Sequence, residues 1–459
     1  MHELLSTLSE LLGSEAVLSG EALEGRSAGI WSNEPLQALA IVRPKSTEEV
    51  STVLRVCHAA KQSVVPVGGM TGLADAHKTD KNDIALSLER MTAIESVDVR
   101  SRKMVVQAGA ILQKIQDQAQ QADLMFPLDL GARASCTIGG NIATNAGGVR
   151  VIRYGMTRAL VLGLEAVLAD GTVVSSMSGL MKNNTGYDLS QMFVGAEGTL
   201  GVVTRAVLRL YEAPKAVETA LLAVPSWDAV MTLLRRFDSR LSGGLVAFEV
   251  MWRDYYDLNT GPFSELESPL TESAPFYVLI DVFVNDTESG REAIENLLME
   301  NIECGDIVDA VIAQSETQRL KLWQIREDFE PEQKRFKQSV DFDISLDIEN
   351  MDTYVEGIRQ QLKAALPASE LFTLGHIGDG NIHLLVGGIE VTEFDQVNQI
   401  IYSPLRGLKG SVSAEHGIGL KKKAYLGISR SPAEIALMRQ VKAMMDPHGI
   451  MNPGKVFDT

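Results

Sequence analysis

PLDLGARASCTIGGNIATNAGGVRVIRYG, residues 127–155, sets two glycine pairs, Gly139-Gly140 and Gly147-Gly148, among Ser135, Thr137, Thr144 and the asparagines 141 and 145. A buried structural loop rarely needs so many small polar groups. A bound molecule carrying ribose, phosphate and a hydrogen-bonding ring would use them. Glycine costs backbone entropy, so its clustering marks places where the chain bends sharply or comes close to a ligand. Cys136, in the same stretch, reads as a small buried hydrophobe rather than a redox group.

Two shorter segments flank this one. Pro66-Val67-Gly68-Gly69-Met70-Thr71-Gly72-Leu73 follows the strand-like SVVPV run. Its free backbone N–H groups and single hydroxyl can form a nest around a pyrophosphate. It is not a dinucleotide fingerprint, because G-x-G-x-x-G is absent and no helical pattern follows. Taken alone, it is explained as well by a tight turn. Val194-Gly195-Ala196-Glu197-Gly198-Thr199-Leu200-Gly201-Val202-Val203 runs directly into a strand.

Around these segments the first half alternates strand and helix. ALAIV at 38–42 reads as a buried strand, and Ser46 with Glu49 fits a capping box before an amphipathic helix to about residue 61. IALSL, KMVVQAG, the ALVLGLEAVLADGTVV stretch and GVVTRAVLRLY also read as strands, and Pro214 is a plausible boundary. Beyond it come two successive strand–helix–strand units. ETALLAV, SWDAVMTLLRRF and LVAFEVM form the first, and FYVLIDVF, REAIENLLME and VDAVIA the second. They predict an antiparallel sheet with helices on one face, hence an α+β class. Residues 256–274 read as an irregular connection, and a last helix is expected near 432–446.

The chain has 459 residues, too many for one core, so two or three domains are expected. Its 45% apolar and 22% charged residues are those of a globular protein. A net charge of −18 repels phosphate backbones, and no basic stripe is present, so nucleic acid is excluded as a partner. Cys57, Cys136 and Cys304 are few, odd in number and far apart; they imply no disulfide framework. The acidic start MHELLSTLSELL lacks the basic region of a secretory signal and the arginines of a transit peptide. No apolar run approaches the ~20 residues that span a bilayer. A cytoplasmic location is expected.

Three of seven histidines, His376, His383 and His416, lie close together in sequence. The first two frame His-Ile-Gly-Asp-Gly-Asn-Ile-His, in which Asp379-Gly380 is a hairpin turn signal. With those two residues as the turn, His376 opposes His383 and the two β-carbons lie ~5 Å apart on one face. Such a pair can share a metal ion. In Ser413-Ala414-Glu415-His416-Gly417, an extended backbone would send adjacent side chains apart, Glu415 toward the ion and His416 toward a substrate. His376, His383 and Glu415 would supply three ligands and leave a position open. Mixed nitrogen and oxygen ligands suit zinc, with manganese or cobalt as alternatives.

The three glycine-rich segments, in this order and spacing, resemble the FAD-binding domain of vanillyl-alcohol-oxidase-type flavoproteins. Within that type they are similar to the branch of D-lactate dehydrogenases, D-2-hydroxyglutarate dehydrogenases and the glycolate oxidase flavin subunit. The likeness runs from about residue 36 to the C-terminus. It implies an FAD-binding domain over 1–214 and a substrate domain carrying the metal site over 215–424. A C-terminal helical segment, 425–459, would pack back on the FAD domain. It implies that Val67, Gly68, Gly69, Met70, Thr71, Gly72 and Leu73 hold the pyrophosphate. Asp129, Ser135, Gly139, Gly140, Thr144, Asn145 and Gly148 would line the flavin, with Glu197, Val203 and Asn452 as further contacts. No histidine occurs in 66–73, so the FAD is expected to be non-covalent.

The same resemblance implies the reaction: hydride leaves C2 of a small D-2-hydroxy acid for flavin N5. A divalent metal stabilises the substrate oxygen and His416 takes its proton. Trp323-Gln324-Ile325-Arg326-Glu327 matches the family segment whose arginine grips the substrate carboxylate, which makes Arg326 the candidate. Without the resemblance, Arg326 reads as a surface arginine paired with Glu330 at i+4. An electron-accepting protein or quinone is the implied partner. The oligomeric state is left open, with a homodimer among the forms allowed.

One departure bears on the substrate. The hydroxyglutarate enzymes hold the far carboxylate with a Thr, a Lys and an Asn at positions that are here Glu330, Asp341 and Leu385. Two anions and an apolar side chain argue against a second carboxylate. A D-lactate-like monocarboxylate is therefore expected ahead of D-2-hydroxyglutarate or D-malate, with a glycolate-oxidase-type flavin subunit as a further alternative. A flavin-free metal hydrolase would leave the segments at 66–73 and 127–148 unexplained.

Overall fold

The computed structural model describes residues 2–30, 32 and 34–458. The chain divides into two compact units. The first runs through Gly148, takes up again at Tyr154–Ala213 and includes everything from Glu415 onward; the second comprises Val149–Arg153 and Pro214–Ala414.

In the first unit, Val17–Leu18 (β1), Ala40–Val42 (β2), Val64–Val67 (β3) and Ile84–Ser87 (β4) form a sheet in the order β1-β2-β4-β3. β2, β4 and β3 are parallel and nearly continuous in buried residues, the pattern of a sheet covered on both faces. The crossover from β2 to β3 is the helix Thr47–Ala60. Ser46 caps it by accepting Glu49 N–H at 3.2 Å, worth about 1 kcal/mol. The Glu49 carboxylate turns to Lys45 N–H at 2.9 Å, so only half of the expected capping box forms.

The second sheet is antiparallel. Ile94–Asp98 (β5) and Lys103–Gln107 (β6) precede the short Leu124–Met125 (β7). Val161–Val167 (β8), Val173–Ser175 (β9), Val202–Arg209 (β10) and Tyr211–Glu212 (β11) follow. The order is β5-β6-β10-β8-β9, while β7 pairs with β11. The segment that opens the sequence reading folds as a short helix, Ile138–Thr144. Thr137 caps its start, and the left-handed Asn145 at φ 51° ends it.

The second unit holds one seven-stranded antiparallel sheet. Its strands are Ala216–Val224 (β12), Leu245–Trp252 (β13), Phe276–Val284 (β14), Asp309–Ile312 (β15), Ser339–Ser345 (β16), Glu370–His376 (β17) and Asn381–Gly387 (β18). They are ordered β15-β12-β14-β13-β17-β18-β16, which places β13 at the centre. The helices Trp227–Arg240 and Thr287–Glu303 fall inside the two predicted strand–helix–strand units. Part of the stretch expected to be irregular is instead a helix, Arg253–Thr260. Its stability is tertiary. Tyr255, Tyr256 and Leu258 join the core formed with Tyr277, Trp323, Phe372 and Leu385, and Asn259 donates to Ile325 and Asp328 carbonyls at 2.8 and 3.0 Å. Each such buried side chain contributes about 1.5–3 kcal/mol. Among the described residues, no helix is long and apolar enough to cross a membrane.

The C-terminal helix Pro432–Met445 belongs to the first unit and starts on a complete capping box of Ser431 and Glu434. The tail after it joins the edge of β3. Val64 N–H donates to Ile450 and Asn452 N–H donates to Val64, both at 2.8 Å. Lys442 holds this return. Its ammonium donates to the carbonyls of Thr199 and Met451 at 2.8 and 2.7 Å and to Asp446 at 2.5 Å. Burial pulls the Lys442 amine below its ordinary range, and the bond to Asp446 opposes that pull. Lys442→Met leaves Asp446, 2% exposed, without its cation. It should destabilise the unit by about 3 kcal/mol, read as a lower urea midpoint; an unchanged midpoint would refute the clasp.

Candidate active site

In the first unit a cleft with about 960 Å³ of empty space, open to solvent, runs between the glycine-rich segments. Of the residues singled out from sequence, Val67, Gly68, Gly69, Met70, Thr71, Gly72, Gly139, Gly140, Thr144, Glu197, Val203 and His416 line it. Leu73 lies in the adjoining recess with His77 and Lys421. Asp129 pairs with Arg133 at 2.9 Å and bridges to Gly148, and Asn145 accepts Arg158 N–H at 2.9 Å. Ser135, Gly148 and Asn452 also stand outside the lining.

The glycines are there because the backbone closes on itself. A β-carbon on Gly69 would meet Cys136 Cα at 3.0 Å, and one on Gly139 would meet Ala108 Cβ at 2.7 Å. Main chain and small hydroxyls are thus left to face the cleft, a lining that suits a dinucleotide. Glu197 has a positive φ of 52°. Its carboxylate accepts Ile418 and Gly419 N–H, each at 2.8 Å, which ties the His416 loop to the cleft wall. Burial raises the Glu197 carboxyl above its usual range even though these two donors act to lower it. Asn452 donates to the Glu197 carbonyl at 2.6 Å and to Ala76 at 3.0 Å, so the tail supports the same wall. Glu415 accepts Gly148 N–H at 2.6 Å.

The second unit carries His376 and His383. The expected two-residue turn is replaced by a helical turn, Ile377–Asp379, closed by left-handed Gly380 at φ 83°. The register moves by two: His383 opposes Leu374, and His376 opposes Glu249 on β13. A two-residue shift keeps each side chain on its face. The imidazoles therefore still meet, with ring centroids 5.2 Å apart and planes at 85°.

Arg326, near the end of the helix Glu316–Glu327, is 8% exposed. Its partner is not Glu330, which bonds Lys334 at 3.2 Å. Arg326 Nε donates to Glu249 Oε2 at 2.8 Å, and the other Glu249 oxygen lies 2.7 Å from His376 Nδ1. Burial opposes ionising Glu249, but the flanking His376 and Arg326 outweigh it and hold the carboxyl below its ordinary range. Tyr255 Oη donates to the Arg326 carbonyl at 2.8 Å, fixing the helix end. Asp341 and Leu385 are cross-strand partners; Asp341 is exposed and Leu385 sits in the core. Close by, burial and then Asp341 push the Glu332 carboxyl up to about 7.

Sequence reasoning missed Glu249, and also His77 in the cleft, whereas Thr137, one of the small polar groups noted in 127–155, does line it. For Glu249 a signal existed: it is the one charged residue in the otherwise apolar strand LVAFEVMW.

Comparison with known proteins bears on both units. Residues 213–456 match the family of FAD linked oxidases through its C-terminal domain, and residues 38–176 match the FAD binding domain. The chain is 39% identical to the mitochondrial D-2-hydroxyglutarate dehydrogenase of Rattus norvegicus, over 91% of this chain and 78% of the rat protein. It is 39% identical to the D-2-hydroxyglutarate dehydrogenase of Xanthomonas citri pv. viticola, over 94% and 90% of the two chains. In structure it is similar to p-cresol methylhydroxylase (TM-score 0.76, 14% identity, 100% of this chain and 97% of that one). Alkyldihydroxyacetonephosphate synthase is likewise similar (TM-score 0.76, 16% identity, 99% and 85%). These structural likenesses show the vanillyl-alcohol-oxidase-type fold alone. With both domain matches and relatives of this identity over nearly its whole length, the chain belongs to the FAD-linked oxidases, in the branch of dehydrogenases that act on the CH–OH group of D-2-hydroxy acids.

Proposed function

We propose that the chain oxidises a D-2-hydroxy acid to its 2-oxo acid with non-covalently held FAD and one divalent ion, and that D-2-hydroxyglutarate is the substrate. The observation that carries the reading is the meeting of His376 and His383 beside the buried Arg326, which puts nitrogens able to take an ion next to a fork able to take a carboxylate. The names of the rat and Xanthomonas relatives support the diacid.

When bound, FAD supplies the hydride acceptor and the ion supplies positive charge for the substrate hydroxyl. The Val67–Leu73 turn would hold the pyrophosphate, and Gly139, Gly140, Thr144, Glu197 and Val203, which line the cleft, would hold the flavin. His376, His383 and Glu415 would hold the ion; two imidazoles and a carboxylate suit zinc. Arg326 would grip the substrate carboxylate through Nη1 and Nη2, since Glu249 engages its Nε. His416 would accept the hydroxyl proton on an imidazole nitrogen. An acceptor protein or quinone would then take the electrons, and the cytoplasm is the compartment that scattered cysteines support. The rat relative's name places that protein in mitochondria.

A second reading, a D-lactate-like monocarboxylate, is favoured by one observation. Asp341 already stands beside the raised Glu332, where a further anion would be repelled. Anaerobic titration separates the two. D-2-hydroxyglutarate should bleach the flavin at lower concentration than D-lactate, and the reverse order assigns the monocarboxylate. Chelation should abolish turnover and zinc restore it. Arg326→Lys, which keeps charge but loses the fork, should raise KM about tenfold, the loss of roughly 1.4 kcal/mol of bonding; an unchanged KM removes Arg326 from the substrate site.

A further inference from the structure

Glu249 lies on the central strand of the second unit's sheet and is 1% exposed. Burying a carboxylate and a guanidinium together costs several kcal/mol of desolvation per ion, and an apolar pair in the same space is often as stable or more so. Stability alone therefore does not explain the pair. Its geometry gives another reason. Arg326 Nη2 stands 3.3 Å from His376 Nε2, and a guanidinium has donors only. Nε2 must then present its lone pair, and the ring proton resides on Nδ1, where it is donated to Glu249 at 2.7 Å. The other Glu249 oxygen takes Arg326 Nε, which leaves the Nη edge of the fork unused by Glu249. One carboxylate thus fixes the tautomer of an ion-binding imidazole and the orientation of a carboxylate-binding guanidinium.

We propose that Glu249 is a positioning residue that couples the two binding events: it keeps the His376 Nε2 lone pair, which Arg326 Nη2 meets at 3.3 Å, available to the ion, and an ion taking that lone pair would free Nη2 for the substrate. The proposal rests on the function proposed above, in which His376 binds an ion and Arg326 binds substrate. Outer partners of this kind tune ion affinity by about 10–100-fold. In Glu249→Gln one of the two acceptor oxygens becomes a donor amide, so either the Arg326 Nε bond or the Nδ1–H tautomer of His376 is lost.

The test uses the full-length, flavin-loaded chain. Zinc affinity is measured by competition with a chromophoric chelator, and 2-oxo acid affinity from the perturbed flavin spectrum. Glu249→Gln should retain its flavin, lose about 10–100-fold in zinc affinity, and raise KM more than it lowers kcat. Glu249→Asp, which keeps the charge, should recover part of the zinc affinity. A flavin-loaded Glu249→Gln that binds zinc and 2-oxo acid as the wild type does overturns the proposal. Nitrogen-15 spectra of the zinc-free wild-type chain give a second measurement that needs no Glu249 variant. They should show His376 protonated on Nδ1, and a ring protonated on Nε2 overturns the proposal. A wild-type chain that binds no zinc is a different result: it refutes the proposed function, and this inference falls with it.

Discussion

A carboxylate shut inside a β-sheet must be met by cations or donors, and the second unit is organised around that requirement. Glu249 sits at the middle of β13, whose other residues are apolar and buried. The register with β17 sets His376 opposite it, and the helix Glu316–Glu327 brings Arg326 to its other oxygen. Tyr255 and Asn259, from a helix that is itself held by tertiary contacts, tie down the end from which Arg326 projects. Removing Glu249 or Arg326 alone would leave the other's charge buried and unpaired, a costly defect. The three groups therefore specify one arrangement.

The first unit solves a different problem, that of exposing backbone N–H groups to a ligand without losing a packed core. Glycine at 69 and 139 lets strand, loop and helix approach to distances that a methyl group would forbid. The wall so formed is held from behind. Glu197 ties the loop of His416, Asn452 ties Glu197, and Lys442 returns the tail to β3. Residues distant in sequence converge because the last strand-like segment completes the edge of the first sheet.

Family membership and the substrate end of the site point in different directions. The FAD-linked oxidase assignment rests on most of the chain, whereas Glu330, Asp341 and Leu385 are three positions. Relatives named for D-2-hydroxyglutarate at 39% identity outweigh three side chains whose bearing on the substrate rests on alignment. The D-lactate preference read from those positions is accordingly the second reading.

Sequence by itself determined the period and punctuation of the fold. Alternating strands and helices, the glycine segments, the parity of the histidine frame and the lone glutamate in an apolar strand are all local, because strand period and turn chemistry are local. Parity survived even where the hairpin register did not, since a two-residue slip returns a side chain to its own face. Tertiary structure alone decided that Arg326 takes Glu249 rather than its i+4 neighbour, that residues 253–260 are helical, and that the tail closes the first sheet. Each depends on partners tens to hundreds of residues away, and burial strengthens a pair that the local sequence gives no reason to prefer.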